Sequence, residues 1–483
     1  MRNQMLRAKT VVGAAAVGLA VGALGLSGCD HLKDEFLKPQ NPSIVDQGAV
    51  TSPAAAAALK IGAMGKLKLL GSDPGASGFA YSSIWVAAGL MSDEFSNSDF
   101  QNSQNDVDAR TMSPDNVASD YSNITQARGF IREAINAEKQ YEPTKTTDIG
   151  ELFLAMAFTE MTLAENFCNG IPLGSNNGVN IDYSKPEFTP LTNAAVYNVA
   201  FDHVDTAVKD VGGATDAASV AVRQAALITE ARIMLDRATP ANLAAQSAAA
   251  AALVSAIPST FQYLWSTSPS NNGDDLGVWS FNNSVGRITV GDSAITYANK
   301  SFRTLNAIPF ASSNDPRVPI QTGKSAGLSS EDGTTPFFIQ QIWKNRDDQQ
   351  PMVSGIDARL IEAEAALNNN NVAGMMTILN ALRATPPKIG TFQPAAMTPL
   401  ATPATQPEAI SLFFREKAFW TFGRGQRLSD LRRLVRQYGR PQDQVFPSGQ
   451  HYKGGNYGTD VNFPVPDVER ANPQFQGCID RSA

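Results

Sequence analysis

Apolar residues recur at helical spacing through much of the chain. In 116–138, Ile124, Ala127, Ile131, Ala134 and Ile135 fall on one face, which predicts an amphipathic helix. Segment 150–167 is apolar on most faces (Leu152, Leu154, Met156, Phe158, Met161, Leu163), the pattern of a buried helix. Further helices are expected at 192–211 (Val196, Val199, Val204, Val208) and at 217–236 (Val220, Ala225, Ile228, Ile233, Leu235). Others are expected at 241–257, which is Ala-rich and ended by Pro258, at 355–367 and at 372–384. The last is a long stretch at 407–437, interrupted near Gly423 and Gly425. Three of these come as pairs: 116–138 with 150–167, 192–211 with 217–236, and 355–367 with 372–384. Each pair covers roughly 30 to 50 residues, the size of a tetratricopeptide-like unit, which buries its apolar face by stacking on a neighbour.

Polar, loop-rich blocks separate the helices at 70–115, 169–190, 259–350, 385–406 and 440–483. Block 259–350, about 90 residues, is too long for a structureless connection. It is expected to be an inserted subdomain, with short strands at 278–282 and 335–343. The fold class is therefore mainly α: tetratricopeptide-like pairs forming a right-handed scaffold, with a loop-rich insertion carrying a few short strands. The divisions that follow are 46–258, 259–350 and 351–483, preceded by two short N-terminal segments.

Those segments bear on the compartment. Arg2, Arg7 and Lys9 precede an apolar run from Val11 to Leu26, about 16 residues and short for a bilayer span. Leu26-Ser27-Gly28-Cys29 follows. The arrangement reads as a signal peptide over 1–28. Its end resembles the bacterial lipobox, in which the cysteine, here Cys29, is acylated. Two or three acyl chains make a stable anchor, at roughly 0.8 kcal/mol per buried methylene. Residues 29–45 then form a tether containing Lys33-Asp34-Glu35, an acidic patch that resembles the surface-export signals of some lipoproteins.

Composition narrows the function classes. The 483 residues are 43% hydrophobic and 18% charged, which excludes wholesale disorder. A net charge of −7 gives no basic surplus for nucleic acid. Three cysteines exclude a four-thiolate zinc site, and His31, His203 and His451 leave few candidate bases. Gly323-Lys324-Ser325-Ala326-Gly327 matches a nucleophile elbow but lacks the buried strand before it. A P-loop fails because Val318 stands where its first glycine belongs. Asp274-Asp275 and Asp347-Asp348 are isolated acidic pairs with only a weak case for calcium, so no cofactor is expected. The arginines from Arg415 to Arg440 interleave with Phe413, Phe414, Phe419, Trp420 and Phe422. This pattern reads as a core helix with charges tied at its edges, Arg427 pairing with Asp430 at i,i+3.

That segment, REKAFWTFGRGQRLSDLRRLVRQYGR, resembles the signature helix of the SusD/RagB-like outer-membrane nutrient-binding lipoproteins. Glu416-Lys417, Gly425, Arg427 and Asp430-Leu431-Arg432-Arg433 match its motif. Trp420 and Arg424 stand where the family usually has glutamates, so the ion pairs of those glutamates are not expected here. IDARLIEAEAALNNN with MMTILNALRA, LAENFCNGIPL, Met91-Ser92-Asp93-Glu94 and FPVPDVERANP resemble other family blocks in the family's order. The resemblance implies four tetratricopeptide-like pairs and a variable loop face. It implies a non-catalytic lipoprotein, lipid-anchored at the outer membrane and facing the exterior. Such a protein captures a glycan or other nutrient for a SusC-like TonB-dependent transporter. Sugar sites use aromatic planes with amide and carboxylate partners on loops. Trp279 with Asn282 and Asn283, then Trp265 and Tyr263, are the candidates, with Trp85, Tyr452 and Tyr457 also in or near loops. Cys168 and Cys478 remain once Cys29 is lipidated. In an oxidising compartment they invite a disulfide, contributing at most roughly 5–6 kcal/mol by chain entropy. Two rival readings are a lipid-anchored hydrolase, using Ser325 or a carboxylate pair, and a tetratricopeptide-like scaffold for protein partners.

Overall fold

Local capping signals start most of the helices in the computed structural model, which describes residues 50–73, 83–174, 182–265 and 275–483. Helix α1 (Pro53–Leu67) opens on Ser52, whose hydroxyl accepts from Ala55 N, with Pro53 in its first turn. Helices α2 (Ile84–Met91), α3 (Asn102–Asp108), α4 (Ala118–Tyr141) and α5 (Thr146–Asn166) follow. Then come α6 (Asn193–Val211), capped by Thr192, α7 (Ala217–Asp236), capped by Asp216, and α8 (Leu243–Val254). Helix α9 (Gly355–Asn368) begins on a Ser354/Asp357 capping box and is followed by α10 (Val372–Ala384). The expected stretch 407–437 is two helices, α11 (Gln406–Trp420) and α12 (Arg427–Arg436), parted by Thr421–Gln426. Gly425 sits there at φ +68°, and a Cβ on it would lie 2.4 Å from the Trp85 ring, so glycine is required twice over.

The expected pairs α4–α5, α6–α7 and α9–α10 pack together, and the contacts continue from α5 to α6, α1 to α4 and α8 to α9. Helix α5 is the centre, buried on every side from Leu152 to Asn166. Gly150 lets α6 approach it closely, since a Cβ there would meet Val211 at 2.6 Å. The fold is mainly α, with strands only in two-stranded antiparallel pairs among the described residues. Strands β1 (Ser72–Asp73), β2 (Phe95–Asn97) and β3 (Gln262–Leu264) pair respectively with β4 (Asp275–Leu276), β5 (Ile288–Val290) and β10 (Pro351–Ser354). The hairpin of β6 (Ala294–Tyr297) and β7 (Lys300–Arg303) and the pair of β8 (Ile320–Thr322) and β9 (Phe338–Gln340) complete the set.

Block 259–350 is therefore stitched into the helical body, and Gln47–Ala483 forms one compact unit. Phe310 of the block packs on Phe419 and Phe422. The strand expected at 278–282 is instead a π-helical turn, Trp279–Ser284. Its cause is Asn282, whose amide donates to Ile288 O (2.8 Å) and Phe338 O (3.0 Å) and whose oxygen accepts from Gln340 N (2.9 Å). These bonds wind the chain around a side chain. No described helix is long and apolar enough to cross a membrane.

Helices α11 and α12 carry charge into the core, and most of the buried charges find distant partners. Arg427 grips Asp93 through two bonds (2.7 and 2.9 Å), rather than the expected Asp430. Asp430 instead accepts from Lys417 (2.6 Å). Arg424, at a position where a glutamate was expected from the family pattern, pairs with Asp357 (2.7 and 3.1 Å), and Asp357 also caps α9 through Ser354 N. Burial opposes ionisation of Asp357, but the Arg424 charge and hydrogen bonds outweigh it and hold the carboxyl below its ordinary range. Glu416 takes both Arg317 (2.7 Å) and Arg383 (3.0 Å), and Arg433 binds Glu364. Arg432 donates to the carbonyls of Ala164 (2.9 Å) and Glu165 (2.7 Å), satisfying the open C-terminal end of α5. At that same end Cys168 is disulfide-bonded to Cys478, with Cα atoms 5.8 Å apart. Cys29 and the tether lie outside the described residues.

Breaking one buried pair leaves a stranded charge, which costs about 3–5 kcal/mol. Asp93→Ala is therefore expected to lower unfolding free energy by that amount in a denaturant titration. A loss under about 1 kcal/mol would mean that the Arg427 pair does not hold the core.

Candidate functional site

The sequence-derived sugar candidates are mostly spent on structure. Trp265 is buried, edge-on to Trp85 (5.6 Å) and Phe158 (6.0 Å). It is withdrawn as a ligand platform, as are the buried Trp85 and Tyr452. Asn282 is fully buried and saturated by the backbone bonds given above, so it is withdrawn too. Asn283 is half-buried and locked to Gln340 in both directions, donating to its carbonyl (3.0 Å) and accepting from its amide (2.6 Å). Tyr263 is half-buried and gives its hydroxyl proton to Glu151 on α5. Tyr457 is half-buried against His451. Trp279 is likewise half-buried and packs on the core from the π-turn.

An aromatic residue that the sequence reading passed over is far more open. Phe100 is 64% exposed. It stands on a turn built by buried polar groups. Asn97 closes that turn, accepting from Asp99 N (2.9 Å) and donating to Asp99 O (3.3 Å). Asp108 fixes Asn97 from behind, accepting from Asn97 N (2.7 Å) and from the Tyr452 hydroxyl (2.7 Å). The neighbouring residue Ser98 ties three loops together: its hydroxyl donates to Gly286 O (2.8 Å), its N–H to Arg287 O (2.9 Å), and its carbonyl accepts from Asp332 N (2.9 Å). Lys453 pairs with Asp332 (2.7 Å) and donates to Asp99 O. Exposed Val285 and Leu328 lie on the segments joined at this knot. The result is a loop face with an aromatic plane and apolar edges, braced from beneath by an ion pair; an exposed aromatic plane of this kind can stack on a sugar ring.

Other chemistry is absent or occupied. Among the described residues no cluster of His, Cys, Asp or Glu could hold a metal ion. Asp275 pairs with Arg346 (2.7 Å) and Asp348 closes a turn on Lys344 N (2.6 Å) and Asn345 N (2.9 Å), while Asp274 lies outside the described residues. Ser325 is exposed on a single helical turn and donates to Thr322 O (2.8 Å). An internal cavity of about 20 Å³, lined by Glu165, Arg232, Asp236, Glu364 and Arg433, has room for little more than a water.

No protein-family model and no curated sequence matches the chain. Solved structures do. A SusD-like carbohydrate-binding protein from Bacteroides fragilis superposes with a TM-score of 0.61 at 14% identity, covering 88% of this chain and 99% of its own. A laminarin-binding SusD-like protein gives 0.59 at 15% identity, over 89% and 99%. NanU from B. fragilis gives 0.58 at 12% identity, over 91% and 98%.

Two buried carboxyls are shifted upward from the ordinary carboxylate range. Burial pushes Glu94 up to about 8, against the bond it accepts from Gly423 N. Burial also pushes Glu165 up to about 8, with Arg232 opposing and Asp236 reinforcing the shift. A carboxyl raised in the folded state gives stability that is complete below its unfolded pKa and fades as pH rises to the folded value. Thermal stability is expected to fall between about pH 5 and 8, by up to about 1.4 kcal/mol per pH unit for each group, and Glu94→Gln should flatten the slope. Melting temperatures that climb across this window would contradict the assignment.

Proposed function

We propose that this chain, which has the SusD-like fold, is a glycan-binding lipoprotein of the cell surface. It is held at the outer membrane through Cys29 and passes captured oligosaccharide, unaltered, to a SusC-like TonB-dependent transporter. The observation that carries the reading is the loop face around Phe100, mounted on a fold whose solved neighbours include a carbohydrate-binding and a laminarin-binding protein. The lipobox-like Leu26-Ser27-Gly28-Cys29 supports the anchor.

The chemistry of capture follows from the geometry. The exposed ring of Phe100 offers an apolar plane to the C–H face of a pyranose, with the half-buried Trp279 as a second aromatic candidate. The Asp332–Lys453 pair, with Lys453 also bonded to Asp99 O, braces the turn that carries the Phe100 plane. The buried asparagine framework sets these groups before the ligand arrives, which lowers the ordering cost of binding. The hydrolase alternative gains no support, because the Ser325 hydroxyl is bonded to backbone and has no histidine partner among the described residues. A transporter that receives intact cargo requires no turnover at this site.

Calorimetric titration of the mature chain with neutral oligosaccharides, laminarin fragments among them, is expected to give saturable binding. Phe100→Ala should weaken it by roughly tenfold without altering the melting temperature, matching about 1–1.5 kcal/mol for an aromatic stack. Chromatography of the glycan after incubation should return it intact. Absence of binding across the panel, or cleavage that Ser325→Ala abolishes, would overturn the reading.

A further inference from the structure

The arginines of the α11–α12 segment divide sharply by what they touch. Arg424, Arg427 and Arg433 are each paired with a carboxylate, and Arg432 and Arg436 give their donors to backbone carbonyls. Arg415 and Arg440 are different. Neither has a carboxylate within ion-pair distance among the described residues, and both line a surface groove of about 580 Å³ beside the first turns of α11. Pro407 and Leu412 give the groove its apolar wall, and Ser411 and Gln444 complete its rim.

The guanidinium groups are held in place from the protein side. Arg415 lies over the Phe419 ring, its Cζ 5.3 Å from the centroid. Arg440 is half-buried and spends one nitrogen on Pro407 O (2.7 Å). Glu408 also lines the groove, but its carboxylate is turned back onto Ala404 N (2.9 Å) and Thr405 N (3.0 Å) to cap α11. Two positive charges therefore line an open groove of small-ligand size, with one oxygen of the nearby Glu408 carboxylate bonded to backbone N–H groups.

We infer that this groove is a second binding site, separate from the Phe100 loop face, for a small molecule of one or two rings carrying an oxyanion. A guanidinium can donate two N–H bonds to a pair of oxygens on a carboxylate, a sulfate or a phosphate alike. The source is distinguished by the probe: a galacturonate dimer, a sulfated disaccharide and inorganic phosphate, with maltose as the neutral control.

Calorimetry of the mature chain at low salt is expected to show saturable binding of at least one anionic probe, weakening as ionic strength rises. Arg415→Ala, a solvent-exposed change, should raise the Kd about tenfold, the loss of one charge-assisted contact. Arg415→Glu should abolish binding, and Arg440→Ala should act likewise if it folds. No saturable binding of any anion overturns the inference. So does anion binding that survives both Arg415 variants. Loss of that binding in Phe100→Ala instead would move the anion to the loop face, overturning the groove while leaving glycan capture standing.

Discussion

The bidentate grip of Arg427 on Asp93 is the contact on which the rest of the molecule leans. It joins residues more than three hundred positions apart and sits where the helical body meets the loops. Asp93 also accepts from Ile308 N (2.8 Å), so one carboxylate anchors α12, the start of β2 and the inserted block together. The same logic repeats along α11 and α12. Arg424 reaches the cap of α9, Arg432 reaches the end of α5, and Glu416 gathers Arg317 and Arg383. A buried ion pair is a weak source of net stability, because desolvation offsets much of its attraction. Its effect here is specificity: helices this charged can be buried only in a register that gives their buried charges carboxylate or carbonyl partners.

Rigidity of that kind is what a capture surface needs. The loop face has little apolar core of its own. Its turns are held by Asn97, Asn282, Asn283, Ser98 and Gln340, whose side chains add backbone-directed hydrogen bonds to the short ladders of β2 with β5 and β8 with β9. Buried polar side chains on short strands and turns can thus fix loops from within.

Helices with a clear apolar stripe were legible from sequence to within a few residues, as at 192–211 against Asn193–Val211. Helices α1 and α2 were not. Helix α1 is an alanine run with a weak face, and α2 is apolar on all sides, so periodicity had nothing to register, although Ser52-Pro53 is a start signal. The SusD-like fold was legible through the order of its motifs. The expected Arg427–Asp430 pair was not what formed, because spacing on one helix cannot report the better partner that tertiary structure supplies. Site residues were the least legible. Trp265 and Asn282 look like loop residues in sequence yet are buried, while Phe100 is the one aromatic in the polar run SNSDFQNSQN. An aromatic with no apolar neighbour to pack against is the signal that could have found it.

Hydrogen exchange with and without a bound oligosaccharide tests the central claim most directly, because it reads the whole backbone at once. New protection is expected in the segments around 97–101, 284–288, 328–335 and 451–455, while α11 and α12, already slow to exchange, stay unchanged. Protection confined to the helical scaffold, with the loop face exchanging as before, would contradict the account.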